Sequence, residues 1–440
     1  MIFEALVTFL AATRTTEYAT RWTGVRTFLP LLSTKRFSTI GGIDETEFIR
    51  HMDQCKSFDD TYWSDYWTAL ANEQLWHVDN ELKKASLLEA SHALFCRQSF
   101  PRPSPDVFAF LSRGAAAITQ TPPGVPIDAG RLHQGTSEEE RSSSVAVSSL
   151  LKAIAYLFVA AWADHTPERM KAYCNCGDLF HILLDAVAPT INLTVERHQV
   201  KTNGEEVNVY ALLPNASTAG NGTLVPGVLV TNGLEGTNVE TMATALRTQA
   251  IQSSAWFFME MPGTYAYKKP MTKASSERIY GDVLSFIASH KSVDASRLGM
   301  IGVSFGGNCT TRMAIADKRL KAVVINGAPL ARSLGPLGSF GMPEIVARTL
   351  FSVLGAQTLL DLKKSLHDIT PSRAYIERID CNVLAVNGEN DTLISTQDTV
   401  DLAAWAPNSE LVLYPGDDHC AMGHIREFLE YGSQWLDKNL

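Results

Sequence analysis

The feature that most constrains the fold is a short apolar run that ends in a serine between glycines. Residues 298–307 read LGMIGVSFGG, which sets Gly302, Ser304 and Gly306 directly after a β-rich run. A serine in a Gly-x-Ser-x-Gly pattern sits on a strained turn from strand to helix, where small neighbours avoid clashes. The pattern predicts a strand before Ser304, a helix over residues 308–316, and a serine hydroxyl lifted above the edge of a sheet.

A serine nucleophile needs a base and an acid that orients the base. Two later apolar runs, residues 382–386 and 411–414, each lead into a loop that carries a suitable side chain. Asp391 lies in the first loop and His419 in the second. We therefore predict Ser304, Asp391 and His419 as catalytic residues, with His419 accepting the serine proton and Asp391 holding the imidazole in the right tautomer.

Each partner of the serine has a rival in the sequence. Glu389 lies two residues before Asp391 on the same loop, and His424 opens the last helix, which carries an apolar stripe. We prefer His419 because a base must reach over the sheet edge from a loop. Both rivals stay open at this point.

The loop after an earlier strand is the predicted source of a second backbone donor. Residues 228–230 form the strand and residues 231–237 (TNGLEGT) the loop. An oxyanion hole needs two N–H groups near the nucleophile, and we predict those of Leu234 and Phe305. Gly233 lets the backbone approach a substrate closely.

Glu235 in the same loop is the most informative side chain near the predicted oxyanion hole. A carboxylate there opposes the negative charge that forms on the substrate. It either points away into a structural hydrogen bond or handles a hydroxyl or a proton of the substrate.

The chain length of 440 residues predicts two domains. Residues 1–190 read as a helical N-terminal cap domain, with a flexible excursion at 113–144 that is rich in proline, serine and acidic residues. From residue 191 to 440, short β-rich runs alternate with helices, which predicts a mostly parallel sheet covered on both faces. The first two runs indicate a hairpin around residues 202–204, and residues 328–370 are a candidate for a small lid.

Charge and cysteine usage bound the partners and the compartment. The formal net charge of −9 argues against nucleic acid and against an anionic membrane, so we expect a small-molecule substrate; a homodimer stays open. The apolar run 153–162 is too short to span a bilayer, and Glu4 interrupts the apolar stretch 2–12, which weakens a secretion signal. Seven cysteines without a framework suit a reducing, cytoplasmic setting.

We expect neither a metal nor an organic cofactor. Cys174 and Cys176 lack the second ligand pair that a zinc site needs. The chemistry predicted for Ser304, Asp391 and His419 uses only groups of the chain.

The motifs together resemble one branch of hydrolases. They are the loop 232–236 (NGLEG), residues 260–264 (EMPGT), the serine turn and the acid and base loops. Over roughly the last 250 residues the chain is similar to the fungal pigment-type hydrolases that shorten a polyketide by C–C cleavage, a family to which the bacterial dihydroxypseudooxynicotine hydrolase is related. The resemblance implies an α/β-hydrolase fold, a helical cap over the site, a Ser304–Asp391–His419 triad and an auxiliary position at Glu235. The excursion at 113–144 has no match in that family.

The expected function is that of a serine hydrolase of specialised, polyketide-type metabolism. It acts on a carbonyl substrate through an acyl-enzyme and cleaves a C–C or an ester bond. Two other functions remain open: a ligand-binding protein without hydrolytic activity on the same fold, and an acyl transferase that shares the acyl-enzyme.

Overall fold

The structure is a computed structural model that describes most of the chain. The described residues are 7, 9–10, 13, 15–87, 94–95, 100, 102–128, 137–215, 224–248, 251–335 and 343–440. Most of the N-terminal stretch 2–12 lies outside them.

The first part of the chain is helical, as predicted. Its helices are α1 (Thr16–Thr23), α2 (Ser33–Gly41), α3 (Glu45–Gln54), α4 (Asp60–Lys84), α5 (Pro105–Arg113), α6 (Ala116–Thr119), α7 (Glu138–Ala161) and α8 (Pro167–Val187). Helices α4 and α7 pack along each other and carry the aromatic core. Trp63 and Trp67 of α4 are fully buried, and the indole N–H of Trp63 donates to the Val159 oxygen of α7 at 2.6 Å.

Helix α7 is the central helix of this part. Within the described ranges it is the one helix long and apolar enough to cross a membrane, and a second candidate arises only if two helices that meet at 70° are counted together. Its most apolar window is 89% buried against the rest of the protein. Such burial is the property of a core helix, which agrees with the buried helix predicted for residues 153–162.

The excursion predicted at 113–144 is shorter than expected. Ser137 and Glu140 form a capping box, so α7 begins at residue 138 and takes the serine-rich stretch into its first turns. The buried Arg247 donates to three backbone oxygens of residues 121–125, the proline-containing stretch, at 2.6 to 3.0 Å. These hydrogen bonds tie that stretch to the sheet domain. Residues 129–136 lie outside the described chain.

The second part contains an eight-stranded sheet. Its strands are β1 (Leu193–Thr202), β2 (Glu205–Pro214), β3 (Val225–Thr231), β4 (Ala255–Met259), β5 (Val293–Val303), β6 (Leu320–Asn326), β7 (Asn382–Gly388) and β8 (Ser409–Tyr414). They lie in the order β1-β2-β4-β3-β5-β6-β7-β8. β2 pairs antiparallel with both β1 and β4, and the six strands β3 to β8 run parallel to one another. The predicted hairpin is confirmed: Asn203 and Gly204 make its turn, both with positive φ.

Helices cover both faces of this sheet. They are α9 (Asn238–Ala245), α10 (Lys273–Ala288), α11 (Phe305–Ala316), α12 (Glu344–Leu354), α13 (Leu359–Asp368), α14 (Arg373–Ile376), α15 (Thr396–Trp405) and α16 (Ile425–Asn439). Helices α9 and α16 lie on one face, and α10 and α11 on the other. Because parallel strands end at one edge, the loops after β3, β5, β7 and β8 meet there.

The segment between β6 and β7 fastens the helical part to this edge. Arg348 of α12 pairs with Asp60 at 3.4 Å and with Asp164 at 3.1 Å, and Thr16 donates to Glu344 at 2.7 Å. Helix α12 of this segment lines the cavity above the sheet edge, and the small lid predicted here stays a prediction.

Candidate active site

Ser304 lies on the predicted turn in a strained backbone conformation. Its φ is 55° and its ψ is −124°, a region that residues with side chains rarely adopt. The neighbouring glycines are required by space: a Cβ on Gly302 would lie 2.2 Å from Thr310 Oγ1, and one on Gly306 would lie 2.3 Å from the backbone oxygen of Asn232. The Ser304 N–H donates to the Asn326 oxygen at 2.7 Å, which anchors the turn on β6.

The structure brings Ser304, His419 and Asp391 into one chain of hydrogen bonds. His419 Nε2 lies 2.8 Å from Ser304 Oγ, and His419 Nδ1 lies 2.7 Å from Asp391 Oδ2. The side chains of His419 and Asp391 are 3% and 0% exposed. A carboxylate at Nδ1 favours the tautomer in which the proton sits on Nδ1, and Nε2 is then free to accept the serine proton.

Asp391 is held as an anion by donors on all sides. Its Oδ1 accepts the N–H groups of Leu393 and Ile394, each at 2.9 Å, and its Oδ2 accepts the side-chain amide of Asn387 at 2.8 Å. Burial alone would raise the pKa of Asp391, but the nearby His419 and these hydrogen bonds outweigh it, and the pKa is lowered. These contacts therefore favour the ionised form of Asp391.

His419 sits on a loop whose shape depends on two residues after it. Cys420 and Ala421 both have positive φ, at 59° and 53°, and Asn387 accepts the Cys420 N–H at 2.9 Å. Burial alone would lower the pKa of His419, but the adjoining Cys420 side chain and the Asp391 carboxylate raise it well above its ordinary value. These neighbours therefore favour the protonated form of the His419 imidazole.

The two rivals lie elsewhere. Glu389 is exposed and its backbone N–H bonds to Tyr414 of the neighbouring strand. His424 pairs through Nδ1 with Asp417 at 2.8 Å. The preference for Asp391 and His419 over these two rivals agrees with the geometry.

Asn387 was missed by the sequence reasoning. Its amide donates to Asp391, while its carbonyl oxygen accepts from Cys420, so one side chain holds the acid loop and the base loop together. Its position at the end of a buried strand was the available signal, but nothing in the sequence pairs it with a loop 33 residues later.

The loop after β3 lies directly against the nucleophile. A Cβ on Gly233 would lie 2.8 Å from the Cβ of Ser304 and 3.2 Å from its Oγ. Leu234 and Phe305 line the same cavity as Ser304 and His419. Their backbone N–H groups belong to the two segments that border the serine, and their role as an oxyanion hole stays a prediction.

Glu235 is 8% exposed and lines the same cavity as Ser304. Burial raises its pKa to about 7, against the opposing charge of Arg36. The Trp162 indole and the Thr349 hydroxyl lie near the carboxylate and favour its anion, yet Oε1 makes no hydrogen bond. Both roles considered for Glu235 stay predictions.

One cluster away from this site has metal-ligand chemistry among the described residues. Glu196 Oε2 lies 3.0 Å from Nε2 of both His198 and His290. The Ser292 N–H donates to His290 Nδ1 at 3.3 Å, which leaves the proton of a neutral imidazole on Nε2, pointing at Glu196. In this arrangement a hydrogen bond occupies the atom that would bind a metal.

Comparison with known proteins gives a consistent picture. Residues 127–408 match a family described as esterase FrsA-like. The 2,6-dihydropseudooxynicotine hydrolase of Paenarthrobacter nicotinovorans is 24% identical over 322 residues, which cover 68% of this chain and 80% of that protein. Esterase FrsA of Vibrio cholerae is 26% identical over 229 residues, so the match spans 51% of this chain and 53% of the esterase.

A solved structure supports the fold independently. The crystal structure of the 2,6-dihydroxy-pseudo-oxynicotine hydrolase superposes with a TM-score of 0.63 at 18% identity, over 92% of this chain and 95% of that one. This likeness confirms the predicted α/β-hydrolase fold. None of these relatives is a fungal pigment-type hydrolase, and that finer assignment stays a prediction.

Proposed function

This chain belongs to the FrsA-like esterase family, and we propose that it is a serine hydrolase that attacks a carbonyl carbon of a small molecule. The observation that carries the proposal is the buried chain of hydrogen bonds from Ser304 through His419 to Asp391, at 2.8 and 2.7 Å. A structural serine has no need of a strained turn, a buried imidazole and a buried carboxylate in line.

The first step forms an acyl-enzyme. Ser304 Oγ attacks the carbonyl carbon while its proton passes to His419 Nε2, and Asp391 stabilises the imidazolium that results. The N–H groups of Leu234 and Phe305 hold the negative oxygen of the tetrahedral intermediate. Removing one such donor costs about a hundredfold to a thousandfold in kcat where it has been measured.

The second step returns the proton and releases the product. The intermediate collapses, the bond to the leaving group breaks, and His419 protonates that group. In ester cleavage the leaving group is an alkoxide; in C–C cleavage it is a carbanion stabilised by a neighbouring carbonyl or aromatic ring. Water then attacks the acyl-enzyme with His419 again as base, and the acid product leaves.

Glu235 acts in this scheme on a hydroxyl or an acidic proton of the substrate. With a pKa raised by burial to about 7, it exchanges a proton readily near neutral pH. In Glu235→Gln we expect the pH profile of kcat/KM to lose the limb that this carboxyl controls, while Ser304 still reacts with a fluorophosphonate. If the pH profile of kcat/KM is unchanged in Glu235→Gln, the role of Glu235 is structural.

The setting we propose is specialised, polyketide-type metabolism in the cytoplasm, with C–C or ester cleavage of the product of a synthase. The resemblance of the sequence to pigment-type hydrolases supports it, as does a site closed by a helical cap that contributes Arg36 and Trp162 to the cavity. Acyl transfer is a second candidate, because an apolar, covered cavity disfavours water as the acceptor.

The test is intact-mass analysis after treatment with a fluorophosphonate. We expect one adduct on the wild type, none on Ser304→Ala, and much slower labelling of His419→Ala. Esters and β-diketones then separate the two bond types, and added alcohols or amines reveal transfer. A folded wild type without an adduct would overturn the hydrolase and favour a ligand-binding protein.

A further inference from the structure

Behind the catalytic groups the cavity continues between the sheet and the helices α9 and α16. It has a volume of about 200 Å³. Its wall on the sheet side includes Val230, Phe258 and Ile301. Val230 and Ile301 are 7% and 8% exposed although they lie on central strands under two helices, whereas Met300, which points to the opposite face, is 0% exposed.

The charged groups of this cavity are gathered at the catalytic end. They are His419, Glu235, Arg36 and Glu240, the last in the first turn of α9. Arg36 is neutralised by Glu240 through two contacts of 2.6 and 2.8 Å. Beyond them the lining is mainly apolar; the Thr244 hydroxyl there donates to the Glu240 backbone oxygen at 2.8 Å, and the buried indole N–H of Trp256 has no hydrogen-bond partner. The far part therefore places no charged side chain against a ligand and suits a chain that is mainly apolar.

Gly432 of α16 marks the far end. Glycine is a poor helix former, and here it lies within a 15-residue helix. A Cβ at this position would meet only Phe428 Cε2, at 3.8 Å, so the missing side chain leaves open space in the cavity that Gly432 lines. Ala245 of α9, another small residue, also lines the cavity.

The rise of α16 provides a scale for the length of this space. From Ile425 to Gly432 the helix rises about 10 Å, at about 1.5 Å per residue. An extended alkyl chain advances about 1.3 Å per carbon at ordinary bond lengths and angles. A chain that runs along α16 from Ile425 to Gly432 therefore has about eight carbons.

We propose that the cavity binds an apolar acyl chain of about six to ten carbons, with its carbonyl at Ser304 and its chain end at Gly432. This rests on the proposed function, because it is the reacting carbonyl that Ser304 holds. The substrate class is then a medium-chain acyl compound, whose chain is attached to the carbonyl that is attacked.

The test measures how fast Ser304 is labelled by a series of alkyl fluorophosphonates with ethyl, butyl, octyl and dodecyl chains. In each reaction Ser304 Oγ forms a bond to phosphorus, the P–F bond breaks, fluoride leaves, and His419 takes the serine proton. Each methylene that is buried adds about fourfold in binding. We expect the wild-type rate to rise steeply up to octyl and then to level off or fall at dodecyl.

Substitutions at the far end should shorten the preferred chain. Gly432→Ala fills about one methylene and should lower the octyl-to-ethyl rate ratio about fourfold, and Gly432→Leu should lower it by on the order of a hundredfold. Gly432→Ala also favours the helix. The octyl-to-ethyl rate ratio can therefore be measured on this variant even if Gly432→Leu does not fold. Gly177→Leu is the matched control: it is a helical glycine with open space around it, outside the cavity, and should keep the wild-type ratio.

A binding measurement separates the two proposals. Isothermal titration of the wild type and of Gly432→Leu with decan-2-one, a neutral ketone without a cleavable ester, reports on the cavity without turnover. Binding to the wild type that is lost in the variant, with no labelling by any fluorophosphonate, would keep the cavity and overturn the hydrolase. Rapid labelling with equal rates for all chain lengths, or a ratio unchanged in both Gly432 variants, would overturn the acyl-chain inference and leave the hydrolase standing.

Discussion

Glu260 should make the stability of this protein fall with rising pH. Glu260 directly follows β4 and is 6% exposed. It accepts the hydroxyl of Tyr173 of α8 at 2.9 Å and the N–H of Asn238 at 3.3 Å. Within the described part of the chain no cationic side chain forms an ion pair with it, and burial raises its pKa from 4.5 to about 7 despite the two hydrogen bonds.

The sign and the size of this pH effect on stability follow from proton linkage. The folded chain binds the Glu260 proton more tightly than the unfolded chain does, so the stability it contributes is complete below about pH 4.5 and is lost as the pH rises through about 7. At about 1.4 kcal/mol per pH unit the whole loss is about 3 kcal/mol, and about 2.5 kcal/mol of it falls between pH 5 and pH 8. Glu260→Gln keeps the shape and both partners but carries no proton to lose.

The assay is urea unfolding followed by tryptophan fluorescence, at about pH 5 and pH 8. We expect the stability of Glu260→Gln relative to the wild type to increase by about 2 to 3 kcal/mol between the two pH values. Glu206→Gln, an exposed glutamate of the β1–β2 hairpin, serves as the control and should show no such change. If the two glutamine variants follow the same pH dependence, burial of an uncompensated carboxyl at Glu260 is the wrong reason.

Three further predictions concern the candidate site. Asp391→Asn should lower kcat by on the order of a thousandfold to ten-thousandfold. Because Asp391 helps to raise the pKa of His419, the acid limb of its pH–rate profile should move to lower pH; a limb that stays in place would contradict this coupling. Gly306→Ala should destabilise the fold, since its Cβ would lie 2.3 Å from a backbone oxygen, while Gly281→Ala, in an open helical position, should stabilise it by about 0.5 to 1 kcal/mol; thermal unfolding of the two variants decides, and equal effects would refute the steric argument. His424→Ala should leave fluorophosphonate labelling at the wild-type rate, and a loss as large as that of His419→Ala would mean that the two histidines had been assigned the wrong way round.

Local rules were enough for the parts of the site that depend on neighbouring residues. The turn at Ser304 follows from Gly302 and Gly306. A Cβ at either position would lie within 2.3 Å of a neighbouring atom, so only glycine fits. The hairpin follows from Asn203-Gly204, which tolerates positive φ at both positions. The alternation of β-rich runs and helices predicts the fold class in the same local way.

The excursion at 113–144 shows where local rules end. Its composition is that of a loop, yet a capping box at Ser137 and Glu140 starts the helix early. Arg247, more than a hundred residues later, binds the backbone of the proline-containing stretch. Nothing in the sequence indicates this contact of Arg247, because it joins segments that meet only after folding.

The sequence by itself was enough to predict Ser304 as the nucleophile, the order of acid and base along the chain, and the type of sheet, since steric limits on a turn and the spacing of apolar residues act within a few residues. Only the tertiary structure shows that His419 lies within hydrogen-bond distance of both Ser304 and Asp391, because that placement depends on Asn387 of another strand and on the loop that it holds. The same is true of the pKa values of Glu235 and Glu260 and of the cavity that ends at Gly432. These properties come from burial and from empty space between distant segments, and neither is a property of any short stretch of chain.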